Sequence, residues 1–347
     1  MQTIVIHSPG DLRVEEHQEA HPPGSGEAKI TISKGGICGS DLHYFHNGGF
    51  GAVRLQEPMV LGHEVAGVVA ELGIGVSHLK VGDKVAVNPS MPCGKCQYCQ
   101  NGQRNQCEDM RFFGSAMRFP HQQGLFRQNV TIPAQQLYPL QPDTDLTYAA
   151  CAEPLAVCLH AVRQAGSLVG SNVLVSGCGP IGCLTVLSAA RAGAQYITAT
   201  DLSDAPLAIA AQLGAHRSVN LNSQPDALTS LAHGKGSQDV IFECSGSPKA
   251  LASALEIIKP GGIIILVGLG GEIPFPLNLA VAKEVKMMGS FRFDEEFSQA
   301  ADLIDRKVVD LKPFVSSVIP FGEAKSAFDL ASLREKSMKV QLDFDGK

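Results

Sequence analysis

The sequence predicts an α/β protein of two domains, one β-rich and barrel-like, the other a doubly wound parallel sheet. Three features point there. At 347 residues the chain exceeds the size at which one hydrophobic core usually stops growing. Residues 1–150 are rich in Gly and Pro and hold short β-branched or alternating runs ("AKITISKG", "EVAGVVAEL", "GDKVAVNPS") separated by turn residues, as many short strands would be. From about residue 170 to 289, continuous apolar runs ("NVLVSG", "YITATD", "DVIFECSG", "GIIILVGLG") alternate with helical windows at Pro180–Ala192, Ala205–Leu213 and Pro248–Ile258. Strands buried on both faces read as unbroken apolar runs, and their alternation with helices implies βαβ crossovers. The closing stretch, from "FSQAADLIDRKVV" to "KSMKVQLDF", is too short to fold alone and is expected to rejoin the first domain. The expected division is 1–153 with 290–347, against 154–289.

Composition removes several classes of function. Hydrophobic residues make up 44% and charged residues 18%, which suits a globular enzyme rather than a disordered chain. The formal net charge is −6 and no basic run occurs, so neither nucleic acid nor an anionic membrane is an expected partner. The start, "MQTIVIHSPGDLRVEEHQEA", has the charge and apolar pattern of neither a signal peptide nor an anchor, and a cytoplasmic location is expected.

"NVLVSGCGPIGCLTVLSAARAGA" carries Gly177, Gly179 and Gly182 in G-x-G-x-x-G spacing, after an apolar run and before a helical window. Gly177 permits a tight turn, Gly179 lets the backbone approach a pyrophosphate, and Gly182 lets helix and strand pack closely. Pro180 and Ile181 fall inside the same loop, and Val267, closing "GIIILVGLG", is grouped with them as cofactor-binding. Asp201 ends the next strand, nineteen residues after Gly182, where a carboxylate accepts from ribose hydroxyls and repels a 2′-phosphate. NAD is therefore expected over NADP, with NADP still possible.

A second constellation lies in the β-rich half. "GGICGSDLHYF" presents Cys38, Ser40, Asp41 and His43, "MVLGHEVAG" presents His63 and Glu64, and "CAEPLAVCLHA" presents Glu153. One thiolate, one imidazole and one or two carboxylates suit zinc with a position open to substrate. A third group, Cys93, Cys96, Cys99 and Cys107, crowds into "PCGKCQYCQNGQRNQC".

Taken in order, Cys38-x-Ser40-x-x-His43, Gly62-His63-Glu64, the four-cysteine run, Glu153-Pro154 and "GCGPIG" resemble the zinc-dependent medium-chain dehydrogenase/reductase family. The likeness covers essentially the whole chain. It implies a GroES-like catalytic domain joined to a Rossmann domain. Glu153 stands where alcohol dehydrogenases place a second catalytic cysteine, which resembles the polyol dehydrogenase branch. "CEDMRFFGSAMRFPH" and "GSFRFDEEF" resemble members acting on a sugar acid.

The four cysteines saturate a tetrahedral site with soft ligands and leave no open position, so they read as a structural zinc staple at about 90–110. The resemblance implies a catalytic zinc on Cys38 and His63, with Glu64 and Glu153 as ligands direct or bridged by water. It further implies hydride transfer to or from NAD(P), a proton relay through Ser40 to His43, and Asp41 behind a ligand. A sugar acid needs a cation for its carboxylate, for which Arg111, Arg118 and Arg292 are the candidates. Tyr44 is expected to line the pocket. Sorbitol or xylitol, L-threonine and 2,3-butanediol are the alternative substrates. A homotetramer or homodimer is expected, with an edge in "GGIIILVGLGG" pairing across it.

Overall fold

The computed structural model describes residues 1–346. The chain divides into two compact units, Met1–Glu153 with Phe297–Leu333 and Lys339–Lys347, and Pro154–Glu296 with Arg334–Met338.

In the first unit the strand Glu27–Gly36 is the organiser. Along one edge it pairs antiparallel with Glu64–Leu72, which in turn pairs with Lys84–Val87. Along the other edge its first half pairs with Asn129–Pro133 and its last three residues with Lys339–Asp343. The two partners on that edge use separate parts of the strand, Glu27–Thr31 and Lys34–Gly36. Alternating side chains put Ala28, Ile30 and Ile32 into a core shared with Val65, Val69, Val85, Phe126 and Phe328. Lys339–Asp343 carries Val315–Pro320 parallel on its far side, so the last part of the chain completes the first unit's seven-stranded sheet.

The second unit is a six-stranded, fully parallel sheet. With its strands numbered along the chain, Asn172–Ser176, Tyr196–Asp201, Arg217–Asn220, Gln238–Glu243, Ile258–Leu266 and Lys286–Gly289, the order is 3-2-1-4-5-6. This is the doubly wound order whose direction reverses between strands 1 and 4, where a crevice opens at the carboxyl ends. Helices begin at Pro180, Asp204 and Pro248, in step with the 3.6-residue windows. The Lys283 ammonium donates to the carbonyls of Leu255, Glu256 and Ile258, satisfying the C-terminal end of the helix Pro248–Ile257.

Three expectations differ from the structure. Arg217–Asn220 and Lys286–Gly289 are strands that carry no continuous apolar run, because both are sheet edges and only one side of each is paired. "GGIIILVGLGG" supplies an interior strand, flanked by strands 4 and 6, so the free edge on that side of the sheet is Lys286–Gly289 instead. The return to the first unit comes at Phe297 rather than 290, and Arg334–Met338 groups with the second unit. The Glu296 carboxylate holds residues 290–296 to the second unit by accepting from Arg163 and from the Asp294 N–H.

Candidate active site and nucleotide loop

Cys38 is the N-cap of the helix Gly39–Asn47, and Asp41 occupies the third helical position. Asp41 is fully buried and spans two segments, its Oδ2 accepting the Cys38 N–H at 3.0 Å and its Oδ1 the Gly62 N–H at 3.2 Å. It therefore ties the loop bearing Cys38 to the loop bearing His63. Neighbouring residues on a strand face opposite sides. His63 and Glu64 can serve one site because the strand starts only at Glu64 and the chain turns at Gly62. Gly62 has φ +92°, and a Cβ there would lie 2.1 Å from the Phe126 ring, so no other residue fits.

The result is a buried cluster in which ligand atoms of Cys38, His63 and Glu64 all lie within 4.8 Å of one another. His63 Nδ1 is buried without a hydrogen-bond partner, 3.8 Å from Asp41 Oδ1, while the ring bonds the Cys38 side chain. Burial opposes a charged imidazole, yet Asp41, Cys38 and Glu153 outweigh it and push His63 up to about 10. An anionic pocket that draws a proton onto its histidine is one that a divalent cation would neutralise. The thiol, imidazole and carboxylate donors fit zinc. Glu153 lies in the first turn of the helix Ala152–Ala165, buried and close enough to His63 to act on its charge.

Cys93, Cys96, Cys99 and Cys107 likewise bring their sulfurs within 4.8 Å of one another, and all are free thiols. Backbone N–H groups point at these sulfurs, from Cys93 to Cys107 at 3.2 Å and from Cys96 to Cys93 at 3.4 Å. N–H groups of Cys99 and Glu108 pull Cys96 down to about 6, whereas burial holds Cys99 up at about 12. Donors aimed at sulfur stabilise thiolates, which is what a bound metal requires.

In the second unit the three glycines have separate duties. Gly177 turns the chain at φ +85°, and a Cβ on Gly182 would sit 1.8 Å from the Gly177 carbonyl oxygen. Gly179, N-cap of the helix that begins with Pro180 and Ile181, would place a Cβ with nothing within 4 Å. Empty space over a helix N-terminus is what an approaching pyrophosphate needs. Asp201 accepts the N–H groups of Cys178 at 2.7 Å, Leu202 at 2.7 Å and Ser203 at 3.1 Å. Val267 leaves strand 5 at the same end of the sheet, its N–H donating to the Glu243 carbonyl at 2.9 Å.

The family "Alcohol dehydrogenase GroES-like domain" matches residues 24–142, and "Zinc-binding dehydrogenase" matches residues 180–306. Among curated proteins, L-idonate 5-dehydrogenase (NAD(P)(+)) of Escherichia coli K12 is 42% identical over 316 residues, covering 91% of each chain. This chain belongs to the zinc-binding, GroES-like alcohol dehydrogenase family. Sorbitol dehydrogenase of Gallus gallus is 34% identical, with 99% of this chain and 96% of that one covered. The crystal structure of the Escherichia coli L-idonate 5-dehydrogenase superposes with a TM-score of 0.94 at 40% identity, covering 99% of this chain and 97% of that one. No helix among the described residues is long and apolar enough to cross a membrane.

For this dehydrogenase the structure places the remaining candidates unevenly. Ser40 and His43 lie three residues apart on the helix that Cys38 caps, so they share a face, and His43 is exposed beside the Phe50 ring. Tyr44 is 1% exposed in the core, and its hydroxyl accepts the Ala116 N–H at 2.9 Å. The Arg118 guanidinium donates to the carbonyls of Glu108 and Met110 and pins the cysteine lobe. Arg111 is exposed on a two-residue strand paired with Ser90–Met91. Arg292 differs from both, holding φ +55° with its guanidinium 5.0 Å from the Phe291 ring centroid. A non-glycine residue in left-handed backbone costs about 1–3 kcal/mol and persists where its surroundings demand it.

Sequence reasoning missed Lys339, 2% exposed, whose ammonium meets both Glu64 oxygens at 2.7 and 2.9 Å. Its only signal was a lysine opening the strand-like run "KVQLDF". Glu243 was missed too: buried at the end of strand 4, it accepts the N–H groups of Ser245 and Gly246 and shapes the loop beside the glycines.

Proposed function

We propose that this chain catalyses reversible hydride transfer between NAD(P) and a secondary hydroxyl of a sugar acid, with L-idonate as substrate and 5-ketogluconate as product. The observation that carries the proposal is the buried Cys38, His63 and Glu64 cluster, in a chain 42% identical to an enzyme named for L-idonate. Cys38, His63, Glu64 and Glu153 would hold a catalytic zinc, and Cys93, Cys96, Cys99 and Cys107 a second, structural one. Bound there, zinc lowers the pKa of a hydroxyl it touches, and the nicotinamide supplies the hydride acceptor.

The chain's own groups do the rest. Asp41 fixes the Cys38 and His63 loops through two backbone N–H groups. Ser40 takes the substrate's hydroxyl proton and His43, exposed to water, carries it away. Arg292 is the cation proposed for the sugar-acid carboxylate. NAD is the preferred cofactor, because the Asp201 carboxylate would repel a 2′-phosphate. With three N–H groups already accepted, it has about one lone pair left for a ribose hydroxyl.

Sorbitol and related polyols form the second reading, favoured by the 34% identity to sorbitol dehydrogenase over 99% of the chain. Initial rates with L-idonate and with sorbitol, each with NAD and NADP, separate the two. A kcat/KM preference for L-idonate of tenfold or more, about 1.4 kcal/mol, is expected. Arg292→Ala should raise KM for L-idonate far more than for sorbitol, and preference for sorbitol would overturn the sugar-acid assignment. All ten cysteines are free, which suits a reducing cytoplasm. We further assign a homo-oligomer, homotetramer before homodimer, which solution scattering from a lone 36.7 kDa particle would refute.

A further inference from the structure

Arg292 stands in left-handed backbone at φ +55°, and the chain is fixed on both sides of it. Before it, the Ser290 N–H donates to the Leu266 carbonyl at the end of strand 5, at 2.9 Å. After it, Phe293 is buried and the Asp294 N–H donates to Glu296 Oε2 at 2.9 Å. Glu296, 1% exposed, is gripped in turn from the helix Ala152–Ala165. Arg163 donates to its Oε1 at 3.0 Å, and His160 Nδ1 lies 3.2 Å from the same oxygen. An amide nitrogen only donates, so Gln164 Nε2, 3.1 Å from His160 Nε2, makes that ring nitrogen the acceptor. The ring proton is then on Nδ1, facing the carboxylate. Glu153 belongs to the same helix, two turns before His160, so the two share a face. One rigid element therefore carries a candidate metal carboxylate and the anchor of the segment that bears Arg292.

We infer that Glu296 is a positioning residue that, through the Asp294 N–H, fixes the segment presenting Arg292 and so sets the discrimination between a sugar acid and a neutral polyol. This rests on the carboxylate role proposed above for Arg292. Left-handed backbone at a non-glycine residue persists only where its surroundings over-determine it. With Glu296 neutralised, the Asp294 N–H loses a charged acceptor, and Arg163 and His160 lose their common partner. The segment then returns Arg292 to ordinary backbone and carries its guanidinium away from the place where it meets a carboxylate with two parallel hydrogen bonds. A polyol presents no carboxylate, so the loss falls on the acid.

The test compares an acid with a neutral polyol. Initial rates of zinc-replete wild type, Glu296→Gln, Arg292→Met and the Glu296→Gln/Arg292→Met double variant are measured with L-idonate and NAD, and with sorbitol as alternative substrate or as competitor. Circular dichroism reports folding. Glu296→Gln should raise KM for L-idonate by about tenfold or more, the loss of one hydrogen bond to a charged group. Its kcat, and its KM or Ki for sorbitol, should stay within about twofold of wild type, the spread of an uncoupled change. In the Arg292→Met background Glu296→Gln should add less than about twofold, since both act through one guanidinium. Equal changes for L-idonate and sorbitol overturn the inference. A full effect of Glu296→Gln in the Arg292→Met background also overturns it, since Glu296 would then act on packing. If Glu296→Gln does not fold, Arg163→Gln, at a side chain 62% exposed, decides instead. A selective rise of about two- to fivefold in KM for L-idonate is expected there, and no selective rise overturns the inference. If Arg292→Met itself fails to separate acid from polyol, or wild type does not turn over L-idonate, the proposed carboxylate role falls, and the inference with it.

Discussion

Gly179 and Gly182 stand three residues apart in one loop, and the structure separates their roles sharply enough to be measured. An added Cβ at Gly182 would lie 1.8 Å from the Gly177 carbonyl oxygen and 2.8 Å from its carbon, so backbone must move. Forced overpacking of this kind costs about 1–3 kcal/mol, which for a unit of this size lowers Tm by roughly 2–10 °C. The same substitution at Gly179 meets nothing within 4 Å, at an N-cap backbone of φ −63° that alanine also adopts. Its cost to the free protein is at most about 1 kcal/mol, the difference between glycine and alanine as a cap. If a pyrophosphate fills that space, however, the methyl pushes it off the helix N-terminus. Losing a hydrogen bond to a charged group costs about 1.5–3 kcal/mol, a 10- to 150-fold rise in Kd. Thermal melts and NADH fluorescence titrations on Gly179→Ala and Gly182→Ala decide the matter. The expected pattern is a near-normal melt with weakened binding for the first and a lowered melt for the second. Normal NADH affinity in Gly179→Ala would refute the placement of the pyrophosphate over that residue.

Further tests follow from other parts of the molecule. Cys99→Ala should hold one metal fewer per chain by elemental analysis and melt lower by at least about 5 °C, with substrate KM little changed; unchanged metal content would remove the second zinc. Asp201→Ala should lower the kcat/KM ratio of NAD to NADP by about tenfold or more, and an unaltered ratio would show that the carboxylate serves only the loop N–H groups it already accepts. Glu296 provides a pH dependence. Burial alone would raise its pKa, but the His160 ring at 3.2 Å and the Asp294 N–H outweigh it and hold the group down at about 2. A depressed folded pKa means that its stabilisation is complete above the ordinary value of 4.5 and is lost as pH falls from there toward about 2. The contribution is at most about 3 kcal/mol. Urea unfolding from pH 6 down to pH 3 should show a shallower loss for Glu296→Gln than for wild type, and equal slopes would dismiss the carboxylate as the cause.

Much of this protein was legible without coordinates, because its chemistry is spelled by residue types that have few other uses at such spacing. Four cysteines within fifteen residues, a glycine fingerprint between an apolar run and a helix, and a Cys-x-Ser-x-x-His segment with a later His-Glu pair announce their ligands locally. The interior strands were equally plain, since burial on both faces demands unbroken apolar runs. The two edge strands and the outer limits of the second unit were not, because an edge pairs on one side only and loses that demand.

Side chains whose meaning is set by a distant partner were beyond local pattern. The hydrogen bond of the Tyr44 hydroxyl was not legible, since Ala116, which donates to it, lies seventy-two positions away. Nothing local to Arg118 showed that its guanidinium donates to the carbonyls of Glu108 and Met110 in the cysteine lobe. Lys339 showed only as a charge opening a short strand, yet it pairs with a carboxylate 275 residues earlier. The sequence by itself determined which candidate donor groups the chain offers, because donor chemistry resides in single side chains. Only the tertiary structure decided which of those groups are already engaged, because hydrogen bonds and ion pairs depend on distances that the fold creates between segments remote in the chain.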